Sequence, residues 1–506
     1  MRATLVLPFL FHFLLPEVSP GEVMPARPGR HLLFDDRLID PAHTKNVQTV
    51  LTKPSQIKRV LKPEAEWEAL GFIFYSTVID HEGTAMLYYG CYDANKGKHL
   101  CLATSRDGLD WERPGLGLTE FGGNKENNIF PLEAVEAGVF LDPSAPPEKR
   151  FRLLHNRHWP DPEKAGVYLS SSEDGIHWIQ NETCLFPRVP DSQPSAFFDP
   201  QNQKYQIFLR SWTKDRKRAV SRAVVGNLEK PWPFDESVEP LAFWGPEKVA
   251  TPSREFPVVM EPDNQDADNI HLYTNCVTRY PLADSVYFAF PAAYFHFRGA
   301  ALEERALDGN DGTFDVQLAV SRDGASWHRF REPWVEPGYR DGTTLQLVSM
   351  STGMIQRGRE LHQFFVGWPY THNRPVEWDR DPDSRAEWME KDLGGIYRAT
   401  TRIDGFVARS AGNKEGSLKT RLLGFKRQTG LQLNIATSGT GYASCALISE
   451  EGKYLSGFGH ADCELIRADE IAFPVRWKNG ATIPPGNYRI EMRLRSARIW
   501  AIEFTE

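Results

Sequence analysis

The stretch SRDGLDW at residues 105–111 decides the fold, because it returns as SEDGIHW at 172–178 and as SRDGASW at 321–327. Each copy follows a short run of β-forming residues. In this order of residues, the Asp accepts hydrogen bonds from nearby backbone N–H groups and the Gly takes a positive φ. We expect the Trp to pack back over the hairpin. The repeat therefore predicts a recurring β-hairpin turn, with a structural role for its residues.

A second repeat lies upstream of these turns and has the pattern strand, Asp-initiated turn, strand. Asp80, Asp142 and Asp199 hold the same place in FYSTVIDHEGTAMLYYG, GVFLDPSAPPEKRFRLLH and AFFDPQNQKYQIFLR. Because Asp and Pro commonly open turns, we interpret these three acids as hairpin residues, not as catalytic groups.

The two repeats together define units of four short strands, and such units arranged radially are the blades of a β-propeller. We count five blades within residues 30–404, with His31–Thr49 expected to supply a strand that closes the ring. A count of six blades is the alternative, because residues 236–268 are rich in loop-forming residues and their strands cannot be assigned from the sequence. The five units cover about 60–115, 125–180, 190–235, 268–330 and 342–404.

The pattern of apolar and polar residues changes after residue 404. Residues 405–506 contain stretches of alternating apolar and polar residues, among them LQLNIAT and YRIEMRLR, with turn residues between them. About 100 residues of this kind predict a separate β-sandwich. The expected fold class is all-β, a five-bladed β-propeller followed by a C-terminal β-sandwich.

Composition and charge exclude several classes of protein. The chain has 506 residues, of which 41% are hydrophobic and 25% charged, so it is neither disordered nor fibrous. Its net charge of -8 provides no basic field for phosphates, so we expect no nucleic-acid partner. No apolar run reaches 18 residues, and we expect no membrane span.

The N-terminus has the layout of a secretory signal. Arg2 is followed by an apolar run from Thr4 to Leu15 and then by polar, Pro-containing sequence. We therefore expect residues 1–20 to be a signal peptide and the protein to be secreted or periplasmic. A buried N-terminal strand is the alternative. The pairs Cys91/Cys101 and Cys445/Cys463 could form disulfides in an oxidising compartment, and the sequence leaves this open.

Several of these features occur together in one known group. HLLFDDRLID at 31–40, the SxDGxxW turns, the FxDP hairpin and IYRATTRIDGFV at 396–407 resemble the uncharacterised secreted bacterial relatives of the glycoside hydrolase family 32 N-terminal domain. More distantly, the chain resembles the five-bladed invertases, levanases and arabinanases. The resemblance implies a propeller that acts on carbohydrate. The NDPNG and EC motifs of invertases are absent, so their catalytic residues cannot be carried over.

Glycoside hydrolysis requires two carboxyl groups that flank the scissile bond. The innermost strand of a blade starts near the central axis, so acids just before such strands are expected to converge. The loop 261–268 holds four acids and could instead be solvated or bind calcium. By this rule, the candidate catalytic residues are Asp191, Asp266, Asp341 and Asp36.

Sugar binding needs aromatic faces and hydrogen-bonding side chains as well. Arg210 and Arg222 could each bind a carboxylate or sulfate in a bidentate manner, or form salt bridges between blades. The candidate substrate-binding residues are Trp67, Glu68, Arg210, Asp263, Tyr273, His296 and His372.

We expect no cofactor. The sequence contains no HExxH, no Walker motif, no GxGxxG after a strand and no GxSxG elbow. None of the cysteines has CxxC spacing, which argues against a Cys-built zinc site. The sequence does not exclude a structural calcium ion.

The sequence therefore favours a secreted glycoside hydrolase that cleaves an oligo- or polysaccharide through paired carboxylates in a central propeller pocket. A non-catalytic carbohydrate-binding propeller is one alternative. A sialidase-like hydrolase is another, because SxDGxxW resembles the sialidase Asp-box, although it is one residue shorter and no Arg triad accompanies it. The expected partner is a carbohydrate, and the oligomeric state is open.

Overall fold

The computed structural model describes residues 22–132, 135–158, 164–232, 237–242, 248–297 and 310–506. These residues are mostly β-structure, which confirms the predicted all-β class. They divide into two units. The first comprises Lys53–Pro281 and Ser285–Ile403, and the second comprises residues 22–52, 282–284 and 404–506. The expected signal peptide lies outside the described residues.

The first unit is a propeller of antiparallel sheets, and the described residues form five successive sets of strands, called blades 1 to 5 here. Blade 1 contains Phe72–His81, Thr84–Tyr92 and Lys98–Ser105. Blade 2 contains Ala137–Leu141, Phe151–Arg157, Gly166–Ser172 and Ile179–Phe186. Blade 3 contains Ser195–Asp199, Lys204–Trp212, Arg218–Val225 and Val258–Met260.

Blades 4 and 5 have interrupted inner strands. Blade 4 contains Ile270–Leu272 with Thr278–Arg279, Tyr287–Ala289 with Ala292–His296, Gly312–Ser321 and Trp327–Val335. Blade 5 contains Leu347–Met350 with Ile355–Arg357, Glu360–Trp368, Gly395–Arg402 and Gln56–Leu61. Outside the blades lie two hairpins (Leu241–Ala242 with Lys248–Val249, Gly338–Arg340 with Thr343–Leu345), the helices Arg374–Arg380 and Pro382–Met389, and 3-10 turns at Glu66–Glu68 and Pro147–Lys149.

The last blade is completed by a strand from the beginning of the unit. Gln56–Leu61 pairs antiparallel with Gly395–Arg402, so the first and last parts of the propeller share one sheet. The prediction from the sequence places this strand within His31–Thr49. In the structure, Gly29–Leu32 pairs instead with Gly486–Thr505, and Gln48–Leu51 pairs with Val407–Ala411, both in the second unit. The closing strand therefore starts later in the chain than expected.

The innermost strands of the five blades contact one another in a closed cycle. The linking hydrogen bonds are Gln193 Nε2 to Thr77 Oγ1 (3.0 Å) and to Ala137 O (2.6 Å), Asn275 Nδ2 to Gln193 O (3.3 Å), Cys276 Sγ to Met350 O (2.9 Å), and Thr352 N to Ser76 O (2.9 Å). Polar side chains thus satisfy the backbone groups that face the centre of the ring.

The three SxDGxxW segments have the predicted turn geometry. Gly108, Gly175 and Gly324 have φ values of 75°, 75° and 72°, in the left-handed region that glycine tolerates. In the last copy, Asp323 accepts hydrogen bonds from the backbone N–H groups of Ala325 and Ser326, both at 2.8 Å. The other two copies repeat this arrangement through Asp107 and Asp174.

The three hairpin acids hold neighbouring blades together. Asp142 accepts from the Tyr205 hydroxyl (2.7 Å), which links blade 2 to blade 3. Asp199 accepts from the Tyr287 hydroxyl (2.8 Å) and links blade 3 to blade 4. Asp80 pairs with Arg357 (2.6 Å), linking blade 1 to blade 5. Their contacts are those of structural residues, as the sequence pattern predicts.

The second unit is built on two strands of 20 residues each, Thr429–Ile448 and Gly486–Thr505, which pair along most of their length. Their inward side chains, among them Leu433, Leu447 and Ile490, form a core with less than 1% exposure. The other elements of the unit are Met24–Pro25, Gly29–Leu32, Gln48–Leu51, Val407–Ala411, Gly416–Lys419, Leu423–Phe425, Asp469–Pro474, Thr482–Ile483 and a 3-10 turn at Pro41–His43.

All six cysteines are free thiols in the structure. The sulfur atoms of Cys91 and Cys101 lie 3.6 Å apart. Within the described parts of the chain, no helix is long and apolar enough to cross a bilayer.

The turn geometry predicts the effect of removing one turn acid. Replacing Asp323 with Ala leaves two backbone N–H groups without their acceptor, and should lower the free energy of unfolding by about 1 kcal/mol. Asp323→Asn keeps an acceptor oxygen and should cost less. The exposed Asp268, for which the structure shows no contact, provides the control: Asp268→Ala should change stability by less than about 0.5 kcal/mol. Urea denaturation measures all three, and equal stability of Asp323→Ala and Asp268→Ala would contradict the account.

Candidate active site

The best-defined polar cluster of the propeller is centred on Asp191 and Arg210. Asp191 lies just before the first strand of blade 3, and its φ of 51° is in the left-handed region. Arg210, on the second strand of that blade, donates from Nη1 to Asp191 Oδ2 at 2.8 Å. A non-glycine residue in this conformation is strained by roughly 1 kcal/mol, and such strain concentrates at functional sites.

Arg210 is buried, with its side chain 1% exposed, and every guanidinium nitrogen has an acceptor. Nε and Nη2 donate to the backbone carbonyl of Tyr273 at 3.0 and 2.8 Å. The guanidinium also lies 4.0 Å from the centre of the Tyr273 ring, a cation–π arrangement. This one side chain therefore joins blade 3 to blade 4 and fixes the position of the Asp191 carboxylate.

The environment of Asp191 raises the pKa of its carboxyl group. Burial raises the pKa of its carboxyl above the ordinary value, Arg210 opposes this change, and the negative charge of Glu136 adds to it. The side chain is still 23% exposed, so solvent reaches it. Asp191 is thus a partly accessible carboxyl group with a raised pKa.

Glu136 is a second carboxyl, whose charge acts on Asp191 and whose own pKa is shifted in the opposite direction. It precedes the first strand of blade 2, as Asp191 precedes that of blade 3. Burial alone would raise its pKa, but the hydrogen bond from His158 Nε2 (3.2 Å) and the charge of Lys98 lower it to about 2. The same pair interaction raises the pKa of Lys98. Glu136 is therefore ionised at neutral pH.

Arg218 supplies a buried positive charge beside this pair. It is 4% exposed and donates from Nη1 to His271 Nδ1 at 3.1 Å, which makes that nitrogen an acceptor. Within the described residues, Arg218 has no carboxylate within 4 Å, and its Nε has no hydrogen-bond partner. Burial and the neighbouring Arg210 lower its pKa. A buried guanidinium of this kind favours an anionic ligand.

Aromatic rings and a neutral histidine form the adjoining wall. His372, in the segment after the Glu360–Trp368 strand, contacts the Tyr273 hydroxyl through Nε2 at 2.9 Å. Burial and the charge of Arg218 lower the pKa of His372 to about 3, so it is uncharged at neutral pH. Its ring centre lies 4.9 Å from that of Tyr294, which in turn packs on His296. Polar groups among aromatic faces are typical of sugar-binding sites.

The structure brings together five of the side chains named from the sequence: Asp191, Arg210, Tyr273, His296 and His372. His296 reaches the cluster through a contact of 3.2 Å between its Nε2 and His271 Nδ1. The other residues predicted from the sequence are not part of this cluster. Their contacts are described in turn below.

Asp263 and Asp266 are paired with arginines on the outermost strand of blade 4. Asp266 binds Arg329, and Asp263 binds Arg331. Asp263 and Asp266 thus have protein side chains as their partners. Burial raises the pKa of Asp266, but Arg329, the backbone N–H of Asp263 and the charge of Arg331 together lower it below the ordinary value. Among the residues that the structure describes, no group of three His, Cys, Asp or Glu is arranged to hold a metal ion.

Asp341, Glu68 and Trp67 also lie away from the cluster. Asp341 is in a hairpin turn and accepts from the backbone N–H of Arg59 at 2.6 Å. Glu68 is fully buried and accepts from the Tyr89 hydroxyl (2.6 Å) and from Arg113 (2.8 Å), which is a structural network. Trp67 lines a separate cavity of about 500 Å³.

Asp36 belongs to the second unit, where it pairs with Arg409 at 2.6 Å. Arg222, the other arginine considered from the sequence, donates to Gln206 Oε1 at 2.6 Å and to a backbone carbonyl, contacts that place it between blades. Within the propeller unit, the structure therefore does not bring Asp191, Asp266 and Asp341 together.

Several members of the cluster are not among the residues predicted from the sequence. Glu136 satisfies the rule that selected Asp191, since it immediately precedes a blade's first strand, and the rule should have found it. His271 lies two residues before Tyr273, on the same face of an extended segment. Lys98, His158 and Arg218 carried no comparable signal.

Comparisons with known proteins give the following similarities. No family model matches the chain. A 1,2-beta-oligomannan phosphorylase from Thermoanaerobacter sp. (strain X514) is 30% identical over 112 residues, which is 22% of this chain and 30% of that protein. A family 43 arabinoxylan arabinofuranohydrolase from Bacillus subtilis matches at 10% identity and a TM-score of 0.38, covering 89% of this chain and 99% of that one. A glycosyl hydrolase from Bacteroides ovatus matches at 12% identity and a TM-score of 0.39, covering 64% and 93%.

The neutral His372 predicts an acid-sensitive stability. Its pKa is about 3 in the folded state and about 6.5 when unfolded, so the unfolded chain binds a proton first. Stability should be complete above pH 6.5 and fall as the pH drops from 6.5 towards 3. His372→Gln should reduce that slope by up to about 1.4 kcal/mol per pH unit. The control, His43→Gln, changes a side chain that is 56% exposed. Denaturant titrations from pH 7 to 4 that give His372→Gln and the unmodified protein the same slope would contradict this prediction.

Proposed function

We propose that this protein is a carbohydrate-active enzyme that cleaves glycosidic bonds at the Asp191 cluster. The observation that carries the proposal is the pair of carboxyl groups at the starts of blades 2 and 3. The pKa of Asp191 is raised and that of Glu136 is lowered. Paired carboxyl groups whose pKa values are displaced in opposite directions are the arrangement that acid catalysis of glycoside cleavage requires.

In this proposal, Asp191 is the general acid. Its protonated carboxyl gives its proton to the glycosidic oxygen as the bond from that oxygen to the anomeric carbon breaks. Glu136 stays ionised and stabilises the positive charge that develops on the sugar ring, or takes a proton from the attacking water. Arg210 holds Asp191 in place through the hydrogen bond between their side chains.

A panel of oligosaccharides tests this function on the purified full chain. The panel should contain β-1,2-linked mannosides, arabinan and fructan oligomers, with products separated by anion-exchange chromatography. Asp191→Asn and Glu136→Gln should each lower kcat/KM by about 10²-fold or more, because each removes one of the two carboxyl roles. Asp341→Asn, which alters an acid in a distant hairpin turn, is the matched control and should stay close to the unmodified rate. Full activity in both Asp191→Asn and Glu136→Gln would contradict the proposal.

Two further outcomes separate the alternatives. Binding of a glycan without any cleavage would favour the non-catalytic carbohydrate-binding propeller. Cleavage confined to sialosides would favour sialidase-like chemistry. The proposal of a secreted enzyme rests only on the apolar N-terminal sequence at Thr4–Leu15, and the relationship to family 32 rests only on the shared motifs.

Phosphorolysis is a second candidate, favoured by Arg218. A buried guanidinium without a carboxylate partner among the described residues is suited to phosphate, and the relative from Thermoanaerobacter is named as a phosphorylase. Phosphate would attack the anomeric carbon, Asp191 would give its proton to the departing oxygen, and the products would be a glycosyl phosphate and a shortened glycan.

Reactions with and without inorganic phosphate distinguish the two chemistries. If phosphate is the co-substrate, the product is a glycosyl phosphate, and Arg218→Met should raise the KM for phosphate more than tenfold with a small effect on the KM for glycan. Release of free sugar at a rate independent of phosphate would identify hydrolysis and exclude this second candidate.

A further inference from the structure

Three side chains of the second unit form a hydrogen-bonded series of hydroxyl, imidazole and carboxylate. The Ser444 hydroxyl lies 2.9 Å from His460 Nδ1, and His460 Nε2 lies 3.0 Å from Oε2 of Glu491. A nucleophile, a base within hydrogen-bond reach and an acid that orients the base are the groups of a Ser–His–acid triad. The two ring nitrogens exchange places relative to the serine-protease triad, and either nitrogen of an imidazole can act as the base.

The strand register places the hydroxyl and the carboxylate on one face of the sheet. Ala443 and Cys445, the neighbours of Ser444 in its strand, belong to the core, and successive residues of a strand point to opposite faces. Arg493 lies directly across from Ser444 in the register, and Glu491 is two residues before Arg493 on the same side of the same strand. The outer face of the sheet therefore carries a hydroxyl, a carboxylate and a guanidinium side by side.

Glu491 determines which nitrogen of the imidazole carries the proton. Burial opposes the ionisation of Glu491, but the hydrogen bonds from His460 and from the Tyr454 hydroxyl (2.7 Å), with the charge of Lys419, lower its pKa to about 2. The ionised carboxylate accepts from the Nε2–H of the neutral imidazole. Nδ1 is then an acceptor, and the Ser444 hydroxyl donates to it.

The three groups are largely shielded from water but are not closed off. Ser444 is 6% exposed, and the side chains of His460 and Glu491 are 11% and 12% exposed. Electrostatic interactions are stronger in such surroundings than in bulk water, so the carboxylate acts on the imidazole more strongly than it would at an exposed position. The contact set is thus suited to activating the hydroxyl of Ser444.

We propose that Ser444 is the nucleophile of a second active site, which hydrolyses a small carboxylic ester such as an O-acetyl group. His460 is the base, Glu491 positions it, and Arg493 provides N–H donors for the oxyanion. An ester is the expected class of substrate because an alcohol departs more readily than the amine of an amide. The small exposure of Ser444 favours a short acyl group. The proposal does not depend on the function proposed for the propeller.

The reaction has two halves. Ser444 Oγ attacks the carbonyl carbon of the ester, His460 Nδ1 takes the hydroxyl proton, and the carbonyl oxygen becomes an oxyanion beside Arg493. The oxyanion then collapses, the bond from the carbonyl carbon to the alcohol oxygen breaks, and His460 gives the proton to that oxygen. Water attacks the acyl-Ser444 in the same manner, which releases the carboxylic acid and restores the hydroxyl.

Covalent labelling of the purified full chain tests the nucleophile directly. A fluorophosphonate should form a bond from phosphorus to Ser444 Oγ with loss of fluoride, and mass mapping of the peptides locates the adduct. Ser444→Ala should abolish this adduct, and His460→Gln should slow its formation at least tenfold, because the base is lost. Ser417→Ala is the matched control and should be labelled at the unmodified rate, since Ser417 lies across from Arg493 on the opposite side.

Hydrolysis of p-nitrophenyl acetate measures the turnover. Ser444→Ala should lower kcat/KM by about 10²-fold or more, and Arg493→Met should lower it by about 10²-fold. A structural role for the network predicts instead that Ser444 of the unmodified protein is not labelled, or that His460→Gln is labelled at the unmodified rate. Either result, or full hydrolysis by Ser444→Ala, would overturn the assignment. Thermal unfolding verifies that the second unit is folded in each variant.

Discussion

The buried side chain of Arg210 is the constraint on which both the propeller and its candidate site depend. A guanidinium without solvent needs hydrogen-bond acceptors, and here the Asp191 carboxylate and the Tyr273 carbonyl provide one for each of its three nitrogens. The interaction holds the second strand of blade 3 against the first strand of blade 4. It also holds Asp191 in a left-handed backbone conformation that would otherwise be unfavourable. The Arg210 side chain thus stabilises the contact between two blades and also positions the carboxyl group of the proposed reaction.

The difference between Asp191 and Glu136 follows from their neighbours. Each lies just before a first strand near the propeller axis, yet Glu136 has a hydrogen-bonding His158 and a nearby Lys98, whereas burial dominates at Asp191. The negative charge of Glu136 itself favours the proton on Asp191. One ionised and one more readily protonated carboxyl therefore arise from a single electrostatic arrangement, which is the basis of the proposed acid role of Asp191.

The sequence predicts the parts of the fold that depend on local interactions. The SxDGxxW turns and the hairpin acids form within a few residues, so their roles follow from residue type and spacing alone. The closing strand Gln56–Leu61 was misplaced because its partner is more than 300 residues away in the chain. Position before a strand selects Asp191 and would also have selected Glu136, and the role of both residues stays a prediction. The same rule did not foresee the contacts of Asp266 and Glu68. Position in the sequence locates the backbone, but it does not show that each side chain turns towards an arginine.

The most direct test of the central claim compares leaving groups in the Asp191→Asn variant. If Asp191 is the general acid, kcat/KM for an unactivated oligosaccharide should fall by about 10²- to 10⁴-fold. The loss should be far smaller for a dinitrophenyl glycoside of the same sugar, whose leaving group departs without a proton. An equal loss on both substrates, or no loss on either, would contradict the acid role of Asp191.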